Sequence, residues 1–314
     1  MDRFEAMRTL IAAVDGGSLS AASRSLNLPL PTVSRRVADL EAYLRSQLVV
    51  RTSRKLLLTD AGAAFVASAR RVLEELAEAE RTAMGEYRAP RGELLVTAPI
   101  MFGKLHVAPI VQEFLAAYPE VTVRLVLTDG VIDLVDHHVD VAVRIGRLPD
   151  SSLIARRVGA IRWLTCASPD YLRRRGTPQT PSDLLDHNCI AYEGLELGRD
   201  WFFSGPDGSF NVTIRPRYSA NTADAVINGA LAGLGIASLL SYQVADNVRD
   251  GSLVSILNDW APSQVAVQVV HTPKQHQPLK LRAFLDFATP KLEERMRRIA
   301  ARYQAKGINA VSAI

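Results

Sequence analysis

The chain has 314 residues, of which 48% are hydrophobic and 22% are charged, and this composition excludes a disordered chain and indicates two or three domains. The formal net charge of +4 is unevenly placed: residues 1–60 carry nine Lys or Arg against six Asp or Glu, and residues 290–314 carry six against two. A basic N-terminal segment followed by a slightly acidic remainder is typical of a nucleic-acid-binding segment joined to a different kind of domain. The basic tail is interpreted as a solvated helix end.

Two cysteines, Cys166 and Cys189, are present, and they form no Cys-x-x-Cys motif. We expect reduced, buried thiols, with a redox switch between them as the open alternative. The N-terminus is charged and amphipathic rather than apolar, so it does not resemble a signal peptide. No segment is expected to be apolar over the length that spans a membrane. The predicted location is therefore the cytoplasm, with no membrane partner.

Three short helices are predicted at the N-terminus. An apolar residue recurs every three or four positions from Phe4 to Val14, and Gly16-Gly17 ends that helix. Ser18 can cap a second helix and is also a predicted DNA-binding residue, and Asn27-Leu28-Pro29 makes a turn. Pro31 suits the first position of a third helix, whose inner face carries the apolar residues Val33, Val37, Leu40 and Leu44.

The outer face of the third helix is polar near its N-terminus, where Thr32, Ser34, Arg35 and Arg36 lie. This end of a recognition helix usually meets base edges and phosphates. An ordinary three-helix bundle would show a similar polar face. A basic hairpin follows, with Arg51, Arg54 and Lys55. The helices and the hairpin together favour a winged helix-turn-helix domain that binds duplex DNA.

Five sequence segments identify the chain as similar to the LysR-type transcriptional regulators over nearly its full length. They are Ser-Leu-Ser-Ala-Ala at 18–22, Pro-Thr-Val-Ser-Arg-Arg-Val at 31–37, Leu-Glu at 40–41, Leu-Val-Val-Arg-Thr at 48–52 and Leu-Thr-Asp-Ala-Gly at 58–62. By this resemblance Pro31, Thr32, Ser34 and Arg35 would face the DNA groove, and Arg51 and Arg54 would be wing contacts. One departure is Pro29-Leu30, where many members have Ser-Gln. A Gln can pair with adenine, whereas Leu offers only apolar contact, for example with a thymine methyl group.

A long helix is predicted over residues 60–88, with Thr59 or Asp60 as its cap. Small and apolar side chains recur at a heptad spacing: Phe65, Ala69, Val72, Leu76, Ala79 and Ala83. This seam could pack on its own domain or pair with the same helix of a second subunit. We expect the homodimer, because two winged modules can then read a two-fold-related site. Residues 88–92 would end the helix and form a hinge.

The remaining residues alternate between strand and helix patterns, which predicts mostly parallel sheets. The first set has strands at 93–97, 121–127 and 139–145, with helices at 103–117 and 131–137. The second has strands at 163–167, 189–192 and 235–239, with helices at 169–175 and 222–232. A strand-rich part lies between 192 and 218, and a strand at 265–270 and a helix at 278–298 close the chain. The resemblance implies a two-lobed effector domain with the fold of periplasmic solute-binding proteins.

The resulting domain plan places the winged helix-turn-helix at 1–59, the linker helix at 60–88 and the hinge at 89–92. Lobe I comprises 93–162 and 265–300, lobe II comprises 163–264, and the tail is 301–314. The resemblance further implies dimers joined into a homotetramer through the effector domains.

Ligands in open α/β sheets bind beyond the carboxyl ends of the strands, which here means the cleft between lobes. This rule nominates these residues: Ala98, Pro99, Ile100, Met101, Phe102, Thr128, Asp129, Arg144, Arg147, Asn221 and Thr222. Matching family positions line the effector pocket, and Ser or Thr is common where Pro99 stands. Either arginine could instead form a surface ion pair. Trp201, beside Phe202 and Phe203, could form one wall or lie in the core. The expected effector is a small carboxylate or aromatic molecule.

Catalysis finds no support in the sequence, which lacks a Gly-x-Ser-x-Gly elbow and a Walker-type phosphate loop. No catalytic residue, metal site or cofactor is predicted. Two alternatives to a ligand-responsive regulator stay open: a cytoplasmic solute-binding module with an unrelated helical appendage, and an enzyme built on the same two lobes. The first would lack salt-sensitive DNA affinity, and the second would need a converging acid–base pair.

Overall fold

A computed structural model of the chain describes residues 1–51, 56–83, 89–130, 132–148, 153–194, 198–206, 208–273 and 277–304. The chain divides into two compact units, Met1–Arg88 and Ala89–Ile314.

The first unit opens with three helices: α1 (Arg3–Asp15), α2 (Leu19–Ser25) and α3 (Leu30–Leu44). Asp2 caps α1 by accepting from the Phe4 and Glu5 amides, and the Ser18 hydroxyl caps α2 by accepting from the Ala21 amide at 3.1 Å. The turn between α2 and α3 contains Asn27 at φ 52°, a left-handed conformation that Asn tolerates. The three helices enclose a core that includes Leu10, Val33 and Val37.

A two-stranded antiparallel hairpin follows, β1 (Val49–Arg51) and β2 (Leu56–Leu58), and then α4 (Asp60–Ala83). The Glu41 carboxylate on α3 accepts from the Leu48 and Val49 amides at 2.8 and 3.0 Å. Thr59 caps α4, because its hydroxyl oxygen accepts from the Gly62 amide. A Cβ at Gly62 would lie 1.9 Å from the Leu48 carbonyl oxygen, so glycine permits this close approach.

Lobe I of the second unit is built on a five-stranded sheet in the order β4-β3-β5-β14-β6. These strands are β3 (Gly92–Ala98), β4 (Val121–Leu127), β5 (Val141–Ile145), β6 (Ile154–Ile161) and β14 (Val265–His271). One face packs against a continuous helix made of α5 (Ile100–Phe102), a π-helical turn (Gly103–Val107) and α6 (Ala108–Ala117), and against α10 (Leu279–Gln304).

Lobe II has a second five-stranded sheet in the order β11-β8-β12-β7-β13. Its strands are β7 (Trp163–Ala167), β8 (Cys189–Tyr192), β11 (Pro216–Ala220), β12 (Ile236–Leu240) and β13 (Val254–Ile256). Its helices are α7 (Pro169–Arg175), α8 (Ala223–Leu231) and α9 (Ser241–Asp250), with 3₁₀ turns at Pro181–Asp186 and Asn258–Trp260. Strands β9 (Asp200–Gly205) and β10 (Gly208–Thr213) form a separate hairpin.

The chain passes between the lobes twice, once at Arg162 and once between β13 and β14. At the first passage the Ser241 amide donates to the Arg162 carbonyl at 2.7 Å, and the Arg162 amide donates to the Ser241 hydroxyl at 3.3 Å. These two bonds fix the start of α9 to the connection.

The expectation of mostly parallel sheets is confirmed. In each sheet four of the five strands run in the same direction, and the fifth, β14 in lobe I or β7 in lobe II, begins at a crossing and is antiparallel to both of its neighbours. The physical reason is the path of the chain: β7 and β14 start where the lobes meet and run away from that point, whereas the neighbouring strands run toward it.

Two expectations differ from the structure. A turn over 134–138 replaces the described part of the helix expected at 131–137, because the Asp133 carboxylate accepts from the Val135 and Asp136 amides and His138 adopts φ 52°. Strand β6, helix α9 and strand β13 were not predicted.

The expectation that no segment is apolar over a membrane-spanning length is wrong as well, since Ile100–Ala117 is long and apolar enough to cross a membrane. Its buried side chains, among them Phe102, Ile110 and Phe114, pack instead on the lobe I sheet.

Candidate DNA-binding surface and inter-lobe site

The N-terminal end of α3 presents an exposed surface in the first unit. The helix begins at Leu30, so Pro31 occupies its second position rather than its first, where its missing N–H is still without cost. Leu30 is 44% exposed, Pro31 and Arg35 are exposed, and Thr32 and Ser34 are half-buried. The buried positions Val33 and Val37 hold the opposite face of α3 in the core. The packing of α3 therefore leaves one apolar side chain, Leu30, and one cationic side chain, Arg35, exposed on the same end of the helix.

Two of the predicted DNA-binding residues also have clear structural roles. Arg36 is half-buried, and its Nη1 atom donates to Glu5 Oε2 at 3.1 Å and to the Thr9 hydroxyl at 3.4 Å. The prediction that Arg36 points outward with Arg35 is wrong, because the acid and hydroxyl on α1 draw the guanidinium back across the helix pair. Ser18 has its hydroxyl engaged in the cap of α2.

The hairpin after α3 carries the predicted wing contacts. Strand β2 is fixed to the turn between α1 and α2, because the Leu56 amide donates to the Gly17 carbonyl at 3.2 Å. Arg51 pairs with Leu56 in the backbone register. The side chain of Arg51, together with Arg54 and Lys55, lies outside the described residues.

The predicted seam on α4 divides into two parts. Ala69 is buried in the first unit, so its prediction as an intersubunit seam residue is wrong. Phe65 is partly buried and packs against the core of the same unit. The start of α4 lies against α1, where Arg70 pairs with Asp15, and this contact covers that end of the stripe. Val72 is 42% exposed, Leu76 is half-buried and Ala79 is exposed. The side chain of Ala83 lies outside the described residues.

In the second unit, Asp129 connects the two lobes. Its Oδ1 accepts from the Ile100 amide at 2.9 Å, at the start of the helix that runs to Ala117. Its Oδ2 accepts from the Tyr192 hydroxyl, also at 2.9 Å, at the carboxyl end of β8 in lobe II. Asp129, a predicted residue of lobe I, therefore contacts lobe II through Tyr192, which was not predicted.

Two tyrosines of lobe II surround this contact. Burial, followed by the nearby Asp129 charge, raises the pKa of Tyr192 well above its ordinary value, so the phenol is a neutral donor. Burial and the Asp129 charge raise the pKa of Tyr242 in the same direction. The Tyr242 ring meets Phe102 edge-on, with centroids 5.3 Å apart, and lies 5.7 Å from His106. The Asp129–Tyr192 hydrogen bond between the lobes thus lies beside an aromatic cluster.

Other predicted cleft residues occupy distinct positions around this contact. The Ala98 carbonyl accepts from the Thr128 amide at 3.0 Å, and the Thr128 hydroxyl oxygen accepts from the Gly130 amide at 3.2 Å. Pro99 and Met101 are buried. Asn221 is exposed at the start of α8, where Thr222 takes the cap position without a side-chain cap bond. A Cβ at Gly194 would lie 2.5 Å from the Tyr192 ring and 2.6 Å from the Asn221 carbonyl oxygen, which brings Asn221 beside Tyr192.

Two predicted residues, Trp201 and Arg144, make their contacts elsewhere. Trp201 is 2% exposed and packs with Tyr171 and Phe203 in the core on the other side of the lobe II sheet, so its prediction as a cleft wall is wrong. Strand β9 alternates, and Trp201 and Phe203 are on its inner face. Arg144 donates from Nη2 to the Ile132 carbonyl at 3.4 Å, and burial lowers its pKa from the ordinary value. Arg147 is exposed.

Tyr192 and Tyr242 were missed by the sequence analysis. The rule that selected the ends of the lobe I strands would also select Tyr192, which ends the predicted strand at 189–192. No comparable signal identifies Tyr242, because its helix was not predicted. Within the described residues, no group of three or more His, Cys, Asp or Glu side chains is arranged to hold a metal ion.

Comparison with known proteins gives two family matches. Residues 4–63 match the model described as "Bacterial regulatory helix-turn-helix protein, lysR family", and residues 88–293 match the "LysR substrate binding domain". A transcriptional regulator of Xanthomonas campestris is 36% identical over 290 residues, which cover 90% of this chain and 83% of the relative.

Two solved structures show the same organisation. The full-length structure of the Vibrio cholerae virulence activator AphB is 30% identical, covers 92% of this chain and 99% of its own, and gives a TM-score of 0.60. CrgA of Neisseria meningitidis, described as a LysR-type transcriptional regulator, is 31% identical, with coverage of 92% and 98% and a TM-score of 0.59. These relatives are regulators rather than enzymes.

Proposed function

This chain belongs to the LysR family of transcriptional regulators, and we propose that it binds a specific duplex promoter site under the control of a small organic effector held between its two lobes. The family membership gives it a DNA-binding domain and an effector-binding domain. The proposal adds the residues that act in each. Because promoter DNA is the proposed partner, the proposed location of the protein is the cytoplasm.

The observation that carries the DNA-binding proposal is the exposed pair of Leu30 and Arg35 on the N-terminal part of α3. Arg35 is exposed while its neighbour Arg36 is held by Glu5, so we assign the contact with a base edge or phosphate to Arg35 rather than to Arg36. Pro31, Thr32 and Ser34 would contact the same groove. Arg51, Arg54 and Lys55 would contact the flanking backbone as the wing.

We infer that two chains pair through the part of α4 that its own unit leaves uncovered. Val72, Leu76 and Ala79 present apolar or small side chains there, and Ala83 continues the sequence spacing. A homodimer places two recognition helices on one DNA site. Association of effector domains would join two dimers into a tetramer, by analogy with the family.

The effector is proposed to bind next to the Asp129–Tyr192 contact, between Ala98–Phe102 and Thr128 on lobe I and Asn221–Thr222 on lobe II. Support comes from the position of these residues at the carboxyl ends of strands from both lobes. Binding controls DNA only when the effector favours one arrangement of the lobes over another.

The DNA-binding proposal is tested by gel shift with the promoter region upstream of the neighbouring divergent gene, at two salt concentrations. Neutralising phosphate contacts releases counterions, so affinity is expected to fall steeply as salt rises. Arg35→Ala should remove the specific shift, whereas Arg249→Ala, which removes the same charge from an exposed site in lobe II, should retain it. Equal binding by both variants would contradict the assignment of Arg35.

A further inference from the structure

The inter-lobe site already contains a carboxylate, that of Asp129. Pro99 has no N–H, and the next amide, that of Ile100, donates to Asp129 Oδ1 at 2.9 Å. The nearest hydroxyl of the opposite lobe, that of Tyr192, donates to Oδ2. One oxygen of Asp129 is thus engaged by each lobe, and the charge occupies the position where an external carboxylate would find the same two donors.

The surroundings make a second negative charge at this point unfavourable. Pro99 and Phe102 are buried, Tyr192 is 4% exposed, and Tyr242 is 6% exposed. Both phenols stay neutral there, because burial and Asp129 raise their pKa values. Asp129 itself is half-buried, and two carboxylates that share a partly buried site repel each other more strongly than they would in water. Arg144, one of the two arginines predicted for the cleft, donates to the Ile132 carbonyl at 3.4 Å.

We propose that Asp129 determines the charge specificity of the inter-lobe site, so that the site rejects small carboxylates and accepts a neutral or cationic molecule with a hydrogen-bond donor. This inference rests on the proposed effector site. It narrows the effector class, since a ligand donor could share the Asp129 oxygens, whereas a ligand carboxylate would have to displace Asp129 from Ile100 and Tyr192. Within the proposal, Asp129 also makes lobe closure sensitive to the ligand's charge.

The test measures thermal unfolding of the full-length chain with acetate or acetamide at constant ionic strength. Acetate and acetamide have nearly the same shape and differ in charge. Asp129→Asn removes the charge and keeps an acceptor for the Ile100 amide. Asp136→Asn is the matched control, because it removes one exposed lobe I charge outside the inter-lobe contact.

We expect acetate to leave the unfolding temperature of the wild type and Asp136→Asn unchanged, and to raise that of Asp129→Asn by several degrees. The ratio of acetate to acetamide affinity should increase at least tenfold in Asp129→Asn. If Asp129 had only a structural role, its replacement would change the unfolding temperature of the variant, but that temperature would not depend on acetate. Asp129→Ser, whose hydroxyl can cap the same amide without a charge, provides a second variant with the same expectation.

Acetate stabilisation of the wild type equal to that of Asp129→Asn would overturn the proposal, as would the absence of any acetate effect in both Asp129 variants or the failure of both to fold. The gel shift separates this result from the proposed function. If the regulator assignment fails, wild-type DNA binding is absent whatever acetate does. If only the specificity inference fails, DNA binding persists while the acetate experiment contradicts it.

Discussion

At the scale of single residues, neighbouring side chains of the same type have different roles because their surroundings differ. Arg35 is exposed, whereas Arg36 pairs with Glu5 and contacts Thr9. The spacing on α3 predicted which positions are buried, but a long arginine can reach sideways to another helix. Helical periodicity therefore could not predict the direction of the Arg36 guanidinium.

Arg36→Ala and Arg35→Ala should separate stability from DNA binding. The Arg36 pair is partly exposed, so its removal is expected to lower the free energy of unfolding by only about 0.5 to 1 kcal/mol. Arg35→Ala should leave that free energy within about 0.5 kcal/mol of wild type while abolishing specific DNA binding. Urea unfolding and gel shifts on both variants measure the two effects, and a reversed pattern would contradict the assigned roles.

The two thiols provide a second prediction at this scale. Burial raises the pKa of Cys166 and that of Cys189 to about 12, so at pH 8 both are thiols rather than reactive thiolates. We expect iodoacetamide to label neither cysteine in the native chain and both in urea, as measured by mass spectrometry. Rapid native labelling of either cysteine would instead support the redox alternative.

At the scale of secondary structure, α4 has two functions along its length. Its start packs on α1 through Val66 and the Arg70–Asp15 pair, and its later turns leave Val72 exposed. The heptad spacing indicated one continuous stripe but carried no information about where the helix would meet its own domain. The stripe is therefore partly core, and its remainder is the proposed dimer contact.

Val72→Glu should weaken the proposed dimer. A charge in an apolar helix pair would be desolvated and repelled by its two-fold mate, so the chain should shift toward monomer and lose affinity for a two-half-site DNA. Ala67→Glu, at an exposed position outside the stripe, serves as the control. Sedimentation at several concentrations measures the shift. An unchanged dimer in Val72→Glu would show that this segment is not the interface.

At the scale of the whole molecule, the fold of the second unit depends on the two chain crossings between its lobes and on the contacts between those lobes. The sequence predicted the winged module, the two lobes and most strands, because apolar periodicity and turn residues mark them locally. The antiparallel strands depend on the chain path between lobes, and helix α9 is bound to that path by Ser241. The Asp129–Tyr192 bond joins residues 63 positions apart, a relation that no local pattern contains.

Tyr192→Phe should loosen the two lobes without altering the local packing. The ring beside Gly194 is retained, and the hydrogen bond to a carboxylate is lost, so the unfolding free energy should fall by about 1 to 2 kcal/mol. Amide exchange should become faster around residues 98–102 and 190–194. Tyr218→Phe, at a partly exposed position on β11, is the control. Identical exchange in both variants would contradict the bridging role of Tyr192.

The central claim is that α3 reads promoter DNA from a paired molecule, and DNase I footprinting tests it most directly. The wild-type chain should protect two related half-sites, whose centres are separated by about 10 base pairs or a multiple of that distance. Arg35→Ala, with its fold intact, should protect neither. A footprint of Arg35→Ala identical to that of the wild type, or uniform protection without half-sites, would contradict the claim.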